Sequence, residues 1–195
     1  MAKKIIEPAY SHWSSLTKIE LDSHILDFEK FCSSGSIILN KEGRAVPFTL
    51  NEWQVKLARI ILPHIFKPVP SPVTIVVHKS RQGGVSVFLA KLEQYIATRR
   101  KNLSMMHLMP TDDLAEKFFE TKFKPLLEGT HTSLLANISW VSTPNIFMKF
   151  NEYLNTPLNT FIKIGGALSK GASRSSTNHI VILDEYAFYE RVSQL

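Results

Sequence analysis

The feature that most constrains the fold is a short apolar run that ends in two carboxylates. Ile180–Leu183 reads Ile-Val-Ile-Leu, and Asp184 and Glu185 follow it directly. Four consecutive apolar residues, mostly β-branched, predict a strand that is buried on both faces of a sheet. Such a strand delivers its acidic groups to the carboxyl-end edge of a parallel sheet, where ligands bind. A strand that ends in solvated acids is the simpler interpretation of the same run.

The middle of the chain alternates strand and helix patterns, which indicates an α/β protein with a mainly parallel sheet flanked by helices. The β-branched run at residues 74–77 predicts a second buried strand. Apolar residues at helical spacing predict a helix over Val85–Arg99, and residues 103–109 predict the next strand. Thr111 is a candidate cap for a helix that must end or kink near Pro125.

Helices and a hairpin are also predicted on either side of this segment. Residues 21–31 and 51–62 carry apolar residues at helical spacing. Asn51 is a suitable N-cap of the second helix, and Gln54 lies at N3, as in a capping box. Residues 146–150 and 160–164 predict the two strands of a hairpin.

Composition bounds the classes of protein to consider. The chain has 195 residues, which suits one domain or one domain with an extension. Its formal net charge of +6 permits a nucleic-acid or other polyanionic partner without requiring one. Cys32 is the only cysteine, which excludes a disulfide framework and a cysteine-based zinc site. No apolar run reaches the length of a membrane span, so we expect no membrane partner.

A glycine-containing loop between a predicted strand and a predicted helix is a candidate phosphate site. Successive N–H groups in such a loop point into one concavity, and the helix N-terminus adds partial positive charge. Lys79 and Arg81 supply cations, and Ser86 lies where the P-loop pattern places its Mg²⁺-binding hydroxyl. The usual pattern has lysine where Val85 stands, so a plain strand-to-helix turn remains open. The candidate nucleotide-binding residues of the loop are Lys79, Ser80, Arg81, Gln82, Gly83, Gly84, Val85 and Ser86.

The loop and the acidic strand end support the same interpretation, a nucleotide-binding site. In ATPases of the ASCE class, an aspartate at this strand end holds Mg²⁺ through water, and the adjacent glutamate polarises the attacking water. Asp184 and Glu185 fit these two roles. The pair therefore favours a P-loop NTPase fold of the ASCE, RecA-like type that binds ATP and Mg²⁺.

Four further stretches carry a pattern in a fixed order, and they are residues 47–54, 79–86, 109–126 and 165–185. Together they resemble the N-terminal ATPase region of tailed-phage terminase large subunits. Residues 47–54 are similar to the adenine-binding segment of that family, and residues 79–86 resemble its deviant Walker A, in which some members begin the loop with lysine. Residues 109–126 resemble the strand, Pro-Thr and helix that follow, and residues 165–185 resemble the approach to Walker B.

The resemblance implies ATP hydrolysis coupled to translocation of double-stranded DNA into a procapsid. It implies that Arg81 and Lys79 contact phosphate, with a catalytic role for Arg81, and that Glu185 is the general base. It implies that Ser86 and Asp184 hold Mg²⁺. It further implies a portal or procapsid and a small terminase subunit as partners, a homo-oligomer when full length, and the cytoplasm of a bacterial host. Gln54 would read adenine, and the capping box is the alternative role for this residue.

The family pattern continues past the end of this chain. Terminase large subunits follow Walker B with a further strand and a nuclease domain, whereas this chain ends ten residues after Glu185. We therefore expect an N-terminal extension over residues 1–50 and a partial ATPase domain over residues 51–195, incomplete on its C-terminal side. Two alternatives stay open: a non-catalytic terminase remnant, and another ASCE ATPase, helicase-like, that acts on nucleic acid.

Overall fold

The structure is a computed structural model that describes residues 18–39, 44–67, 73–77, 84–141, 146–167 and 177–185. The helices in these ranges are α1 (Lys18–Ser33), α2 (Glu52–Phe66), α3 (Val85–Arg99), α4 (Asp112–Phe118) and α5 (Lys124–Glu128). The strands are β1 (Ile37–Leu39), β2 (Ala45–Pro47), β3 (Ser104–Met109), β4 (Asn137–Val141), β5 (Ile146–Tyr153), β6 (Thr156–Gly166) and β7 (Ile180–Leu183). A single π-helical turn, Phe119–Phe123, joins α4 to α5, and a 3-10 turn spans Thr132–Leu134.

The main sheet has five strands in the order β4-β5-β6-β3-β7, and β1 and β2 form a separate antiparallel pair. Strand β3 runs parallel to both β6 and β7. Strand β5 runs antiparallel to both β4 and β6. The fold is therefore mixed α/β with helices against the sheet, and the prediction of a mainly parallel sheet is wrong for the β4-β5-β6 half.

A tight turn explains the antiparallel half. Leu154 and Asn155 connect β5 to β6 and have φ of 48° and 59°. Two consecutive positive φ values belong to the type I′ turn, whose twist matches that of the strands it joins. The predicted hairpin is confirmed, and so short a connection forces its strands to be antiparallel.

The predicted strand at residues 74–77 is wrong. This segment is not part of either sheet, and Val76 is 87% exposed. A β-branched run becomes a strand only when another strand supplies hydrogen bonds to its backbone. Among the described strands none pairs with it, so its composition alone does not place it in the sheet.

Helix α3 forms the centre of the core, between the sheet and the other helices. The ring of Tyr95 on α3 contacts Phe28 and Phe31 of α1, with ring centroids 5.0 and 5.5 Å apart. On the sheet side α3 meets β5 and β6. Burial of α3 on several sides explains why its apolar residues exceed the single stripe of a surface helix.

Prolines act differently at the ends of two predicted helices. Helix α2 continues through Pro63 to Phe66, one turn beyond the predicted end. Helix α4 changes into the π turn ahead of Pro125, which lies in the first turn of α5, so the predicted end or kink is confirmed. The predicted cap is also confirmed, because Thr111 Oγ1 accepts the N–H of Leu114.

Candidate functional site

The three parallel strands end together at one edge of the sheet. Met109 of β3 is in register with Gly166 of β6, and Leu108 is in register with Leu183 of β7. Asp184 continues this alignment, because its N–H donates to the carbonyl oxygen of Leu108 at 3.0 Å. This carboxyl-end edge is the place where open parallel sheets bind ligands.

Both predicted acidic residues lie at that edge. Asp184 is only 2% exposed, and its Oδ1 accepts the N–H of Glu185 at 2.9 Å. Glu185 has φ of 56°, so the chain turns sharply here and leaves the glutamate half-exposed. The arrangement gives one buried, oriented carboxylate beside one accessible carboxylate. An oriented carboxylate suits a Mg²⁺ ligand, and an accessible one suits a general base.

The beginning of α3 projects toward the same edge. Helix α3 leads into β3 through residues 100–103, so the two elements run in opposite directions. Glu93 of α3 contacts His107 of β3, which fixes their relative position along the sheet. Gly84 lies about 13 Å from Glu93 along the helix, whereas Met109 lies about 7 Å from His107 along the strand. The N-terminus of α3 therefore extends past the end of β3, with its free N–H groups on that side.

Gly84 caps α3 in a conformation that favours glycine. Its φ and ψ are 70° and 19°, which is the left-handed region. A Cβ at this position would also lie 3.3 Å from Nε2 of Gln54. Val85, which replaces the usual P-loop lysine, is buried, and Ser86 is half-exposed. The remaining predicted loop residues lie outside the described residues; they are Lys79, Ser80, Arg81, Gln82 and Gly83.

Gln54 joins α2 to the start of α3. Its Oε1 accepts the N–H of Asn51 at 3.0 Å, and its own N–H donates to Asn51 Oδ1, which confirms the capping box. Its Nε2 donates to the carbonyl oxygen of Gly84 at 3.2 Å. Both ends of the side-chain amide are therefore engaged by the backbone. Recognition of adenine by Gln54 stays a prediction, and it would use the second N–H of Nε2 or the second lone pair of Oε1, or require one of these bonds to open.

The end of β6 packs closely on the start of α4, a contact that the sequence patterns did not identify. The Gly166 N–H donates to Asp112 Oδ1 at 2.8 Å. A Cβ on Gly166 would lie 2.4 Å from the backbone nitrogen of Asp112. The signal in the sequence is the glycine pair at the end of an otherwise β-forming run. This contact brings the α4 N-terminus to the same sheet edge as Asp184.

A buried polar pair lies beneath this edge. Glu93 Oε2 and His107 Nδ1 are 2.8 Å apart, and both side chains are fully buried. The His107 ring also stacks on Phe118 of α4, with centroids 4.4 Å apart. The pair therefore connects α3, β3 and α4, the three elements that position the edge. A histidine within the apolar run of β3 was the available sequence signal.

Comparison with known proteins adds no assignment. No protein-family model matches the chain, and no curated protein matches it significantly. Within the described ranges, there is no group of three or more His, Cys, Asp or Glu side chains that could hold a metal ion. A Mg²⁺ ion held by one carboxylate, one hydroxyl, water and nucleotide phosphates needs no such group. None of the described helices has the length and apolar character needed to cross a membrane.

Proposed function

We propose that this chain is the ATP-binding motor region of a tailed-phage terminase large subunit, which couples ATP hydrolysis to translocation of double-stranded DNA into a procapsid. The observation that carries the proposal is the convergence of two features at one sheet edge. Strand β7 ends there in Asp184 and Glu185, and the glycine-capped N-terminus of α3 extends past the same edge. A helix N-terminus suits the phosphates of a nucleotide, and a carboxylate suits the Mg²⁺ ion bound to them.

The roles proposed for the described residues follow from their positions, and those of Lys79 and Arg81 are the roles that the family resemblance implies. The N–H groups at the start of α3 and the ammonium of Lys79 bind phosphate oxygens. Asp184 and the Ser86 hydroxyl hold Mg²⁺, and Glu185 accepts a proton from the attacking water. Arg81 stabilises charge that develops on the transferred phosphoryl group. The P-loop NTPase fold, the oligomer and the procapsid partners belong to this proposal.

Calorimetric titration of the folded 195-residue chain with Mg-ATP tests it. A charge-assisted phosphate contact contributes about 1.5–3 kcal/mol, so Lys79→Ala is expected to weaken binding by roughly tenfold or more. Asp184→Asn is expected to abolish the dependence of binding on Mg²⁺. The matched controls are Lys56→Ala and Asp113→Asn, which change exposed residues on α2 and α4. A folded chain that does not bind Mg-ATP, or that binds it equally in all four variants, would contradict the proposal.

A non-catalytic terminase remnant is the second candidate, because two observations favour it. Val85 is buried where a P-loop lysine would face phosphate, and residues 74–77 are not paired in the sheet. A remnant would keep salt-sensitive DNA binding and lack affinity for Mg-ATP. Measuring DNA binding with and without Mg-ATP on the same preparation separates the two candidates.

A further inference from the structure

One face of the sheet alternates aromatic rings with ammonium groups. Along β5 the side chains of Ile146, Met148 and Phe150 are buried, so Phe147 and Lys149 point to the opposite face. In the register of β5 and β6, Phe147 lies opposite Lys163, and Lys149 lies opposite Phe161. The four side chains Phe147, Lys149, Phe161 and Lys163 therefore form a two-by-two pattern, called here the aromatic–lysine face.

The two rings of this face form one platform. The centroids of Phe147 and Phe161 are 5.6 Å apart, with an angle of 33° between the ring planes. Phe147 is 38% exposed and Phe161 is half-exposed. Strand β4 extends the platform with the exposed Val141, which lies opposite Phe147. Apolar surface is thus presented to solvent beside two cationic side chains.

The charged residues of the strands that form this face are mainly basic. The sequences of β4, β5 and β6 contain Lys149 and Lys163 and a single carboxylate, Glu152. Glu152 lies toward the hairpin end of β5, opposite Pro157. Among the side chains of these three strands, the charged ones beside the rings are therefore basic, which favours a polyanionic partner.

We propose that the aromatic–lysine face binds single-stranded nucleic acid. Unpaired bases stack on exposed aromatic rings of a sheet, while lysines beside the rings contact the phosphates. The bases of a duplex are already stacked on each other and cannot use such a platform. A helix packed on this face would leave the lysines between apolar surfaces, at a cost in desolvation. The proposal does not depend on ATP binding at the sheet edge.

Fluorescence anisotropy with labelled oligo(dT) tests the proposal on the whole chain. The variants are Phe147→Leu and Phe161→Leu, which keep apolar packing and remove the rings, and Lys149→Ala. Loss of one stacked base is expected to weaken oligo(dT) binding by roughly 5- to 150-fold for each phenylalanine variant. Lys149→Ala is expected to reduce the slope of log affinity against log salt by about 0.7. The controls are Leu26→Ala and Lys56→Ala, exposed residues on α1 and α2, which should change neither quantity.

Other ligands of this face, or a second copy of the chain bound to it, would give different results. Duplex DNA and heparin lack accessible bases, so their binding should be insensitive to the two phenylalanine changes. Equal effects of those changes on oligo(dT), duplex and heparin would refute base stacking. A chain that does not bind oligo(dT) at low salt, or that buries this face in a dimer detected by light scattering, would also overturn the proposal. Circular dichroism melts of all variants verify that each one is folded.

Discussion

Lys91 is a lysine in the middle of the core, and its burial leads to a prediction about stability at alkaline pH. Its side chain is fully buried on α3, with Nζ 4.4 Å from the centroid of the Phe31 ring. Nζ donates to the hydroxyls of Ser36 and Thr130 and to the carbonyl oxygen of Leu126. Loss of hydration nevertheless lowers the pKa of Lys91 from 10.5 to about 8.

The direction of the pH dependence follows from this lowered pKa. Between pH 8 and pH 10.5 the unfolded chain holds the Lys91 proton more tightly than the folded chain, so the free energy of unfolding rises with pH in this window. Below about pH 8 both states are protonated, and the folded state carries the full cost of the buried charge, roughly 3 kcal/mol. From about pH 7 to about pH 9, relief of this cost amounts to about 1.4 kcal/mol.

Urea denaturation of the wild type and Lys91→Met across this pH range measures the effect. The hydroxyls of Ser36 and Thr130 remain hydrogen-bonded to each other at 3.2 Å, so the substitution leaves no new orphaned group there. The variant is expected to be the more stable protein near neutral pH, because an apolar side chain of similar volume removes the cost of the charge. Its advantage is expected to shrink by about 1.4 kcal/mol between about pH 7 and about pH 9.

Two controls isolate the contribution of Lys91. Burial raises the pKa of the Cys32 thiol, which lowers stability as pH rises. Because Cys32 and Lys91 influence each other's pKa, wild type and Lys91→Met are compared in a Cys32→Ala background. Lys56→Met changes an exposed lysine on α2 and should show no comparable trend. A difference between wild type and Lys91→Met that is independent of pH would refute the reasoning.

Three further tests concern the contacts beneath the sheet edge. Gly166→Ala places a Cβ 2.4 Å from the backbone of α4, so its Tm should fall by an amount equivalent to about 1–3 kcal/mol; an unchanged Tm would mean that this approach is looser. Gln54→Ala removes a capping bond and the bond to Gly84, so the free energy of unfolding, measured by urea denaturation, should fall by about 1–2 kcal/mol. An unchanged free energy of unfolding would mean that neither bond contributes. Glu93→Ala leaves His107 buried without its partner and should lower the free energy of unfolding by about 1–3 kcal/mol. The double variant Glu93→Leu with His107→Leu should lose less stability than the sum of the losses of the two single leucine variants. A loss equal to that sum would contradict coupling between the two residues.

Elements that depend on local signals were predicted well from the sequence. The helical period and the Asn51–Gln54 capping box identify α2, and the period alone identifies α3 from Val85 to Arg99. The hairpin of β5 and β6 was also predicted, because its strands are close in sequence. These features are determined by residues a few positions apart, so their pattern is visible without knowledge of the fold.

The failures concern pairing between distant parts of the chain. Residues 74–77 and Ile180–Leu183 have similar compositions, but only the second run finds a strand to pair with, and that strand is β3. Lys91 lies in a helix that is buried on several sides, and its acceptors Ser36 and Thr130 are far away in sequence. The candidate site was predicted only in part for the same reason. The position of Asp184 and Glu185 was predicted because it depends on a single strand end. The bond from Gln54 to Gly84 was not predicted because it joins two helices.

Among the described strands, the one that positions Asp184 lies at an edge of the sheet, which would link the proposed nucleotide binding to the stability of the sheet. Among the described strands β7 pairs only with β3, and its outward residues Val181 and Leu183 are 51% and 45% exposed. The prediction that this strand is buried on both faces is therefore wrong for one face. A strand held on one side opens at a lower cost than a central strand. If Mg-ATP binds only when Asp184 is held at this edge, ligand at a hundredfold excess over Kd adds about 2.7 kcal/mol to the ordered state. Order in β7 and affinity for Mg-ATP are then two measures of one equilibrium, and a substitution that loosens β7 weakens binding without touching the nucleotide.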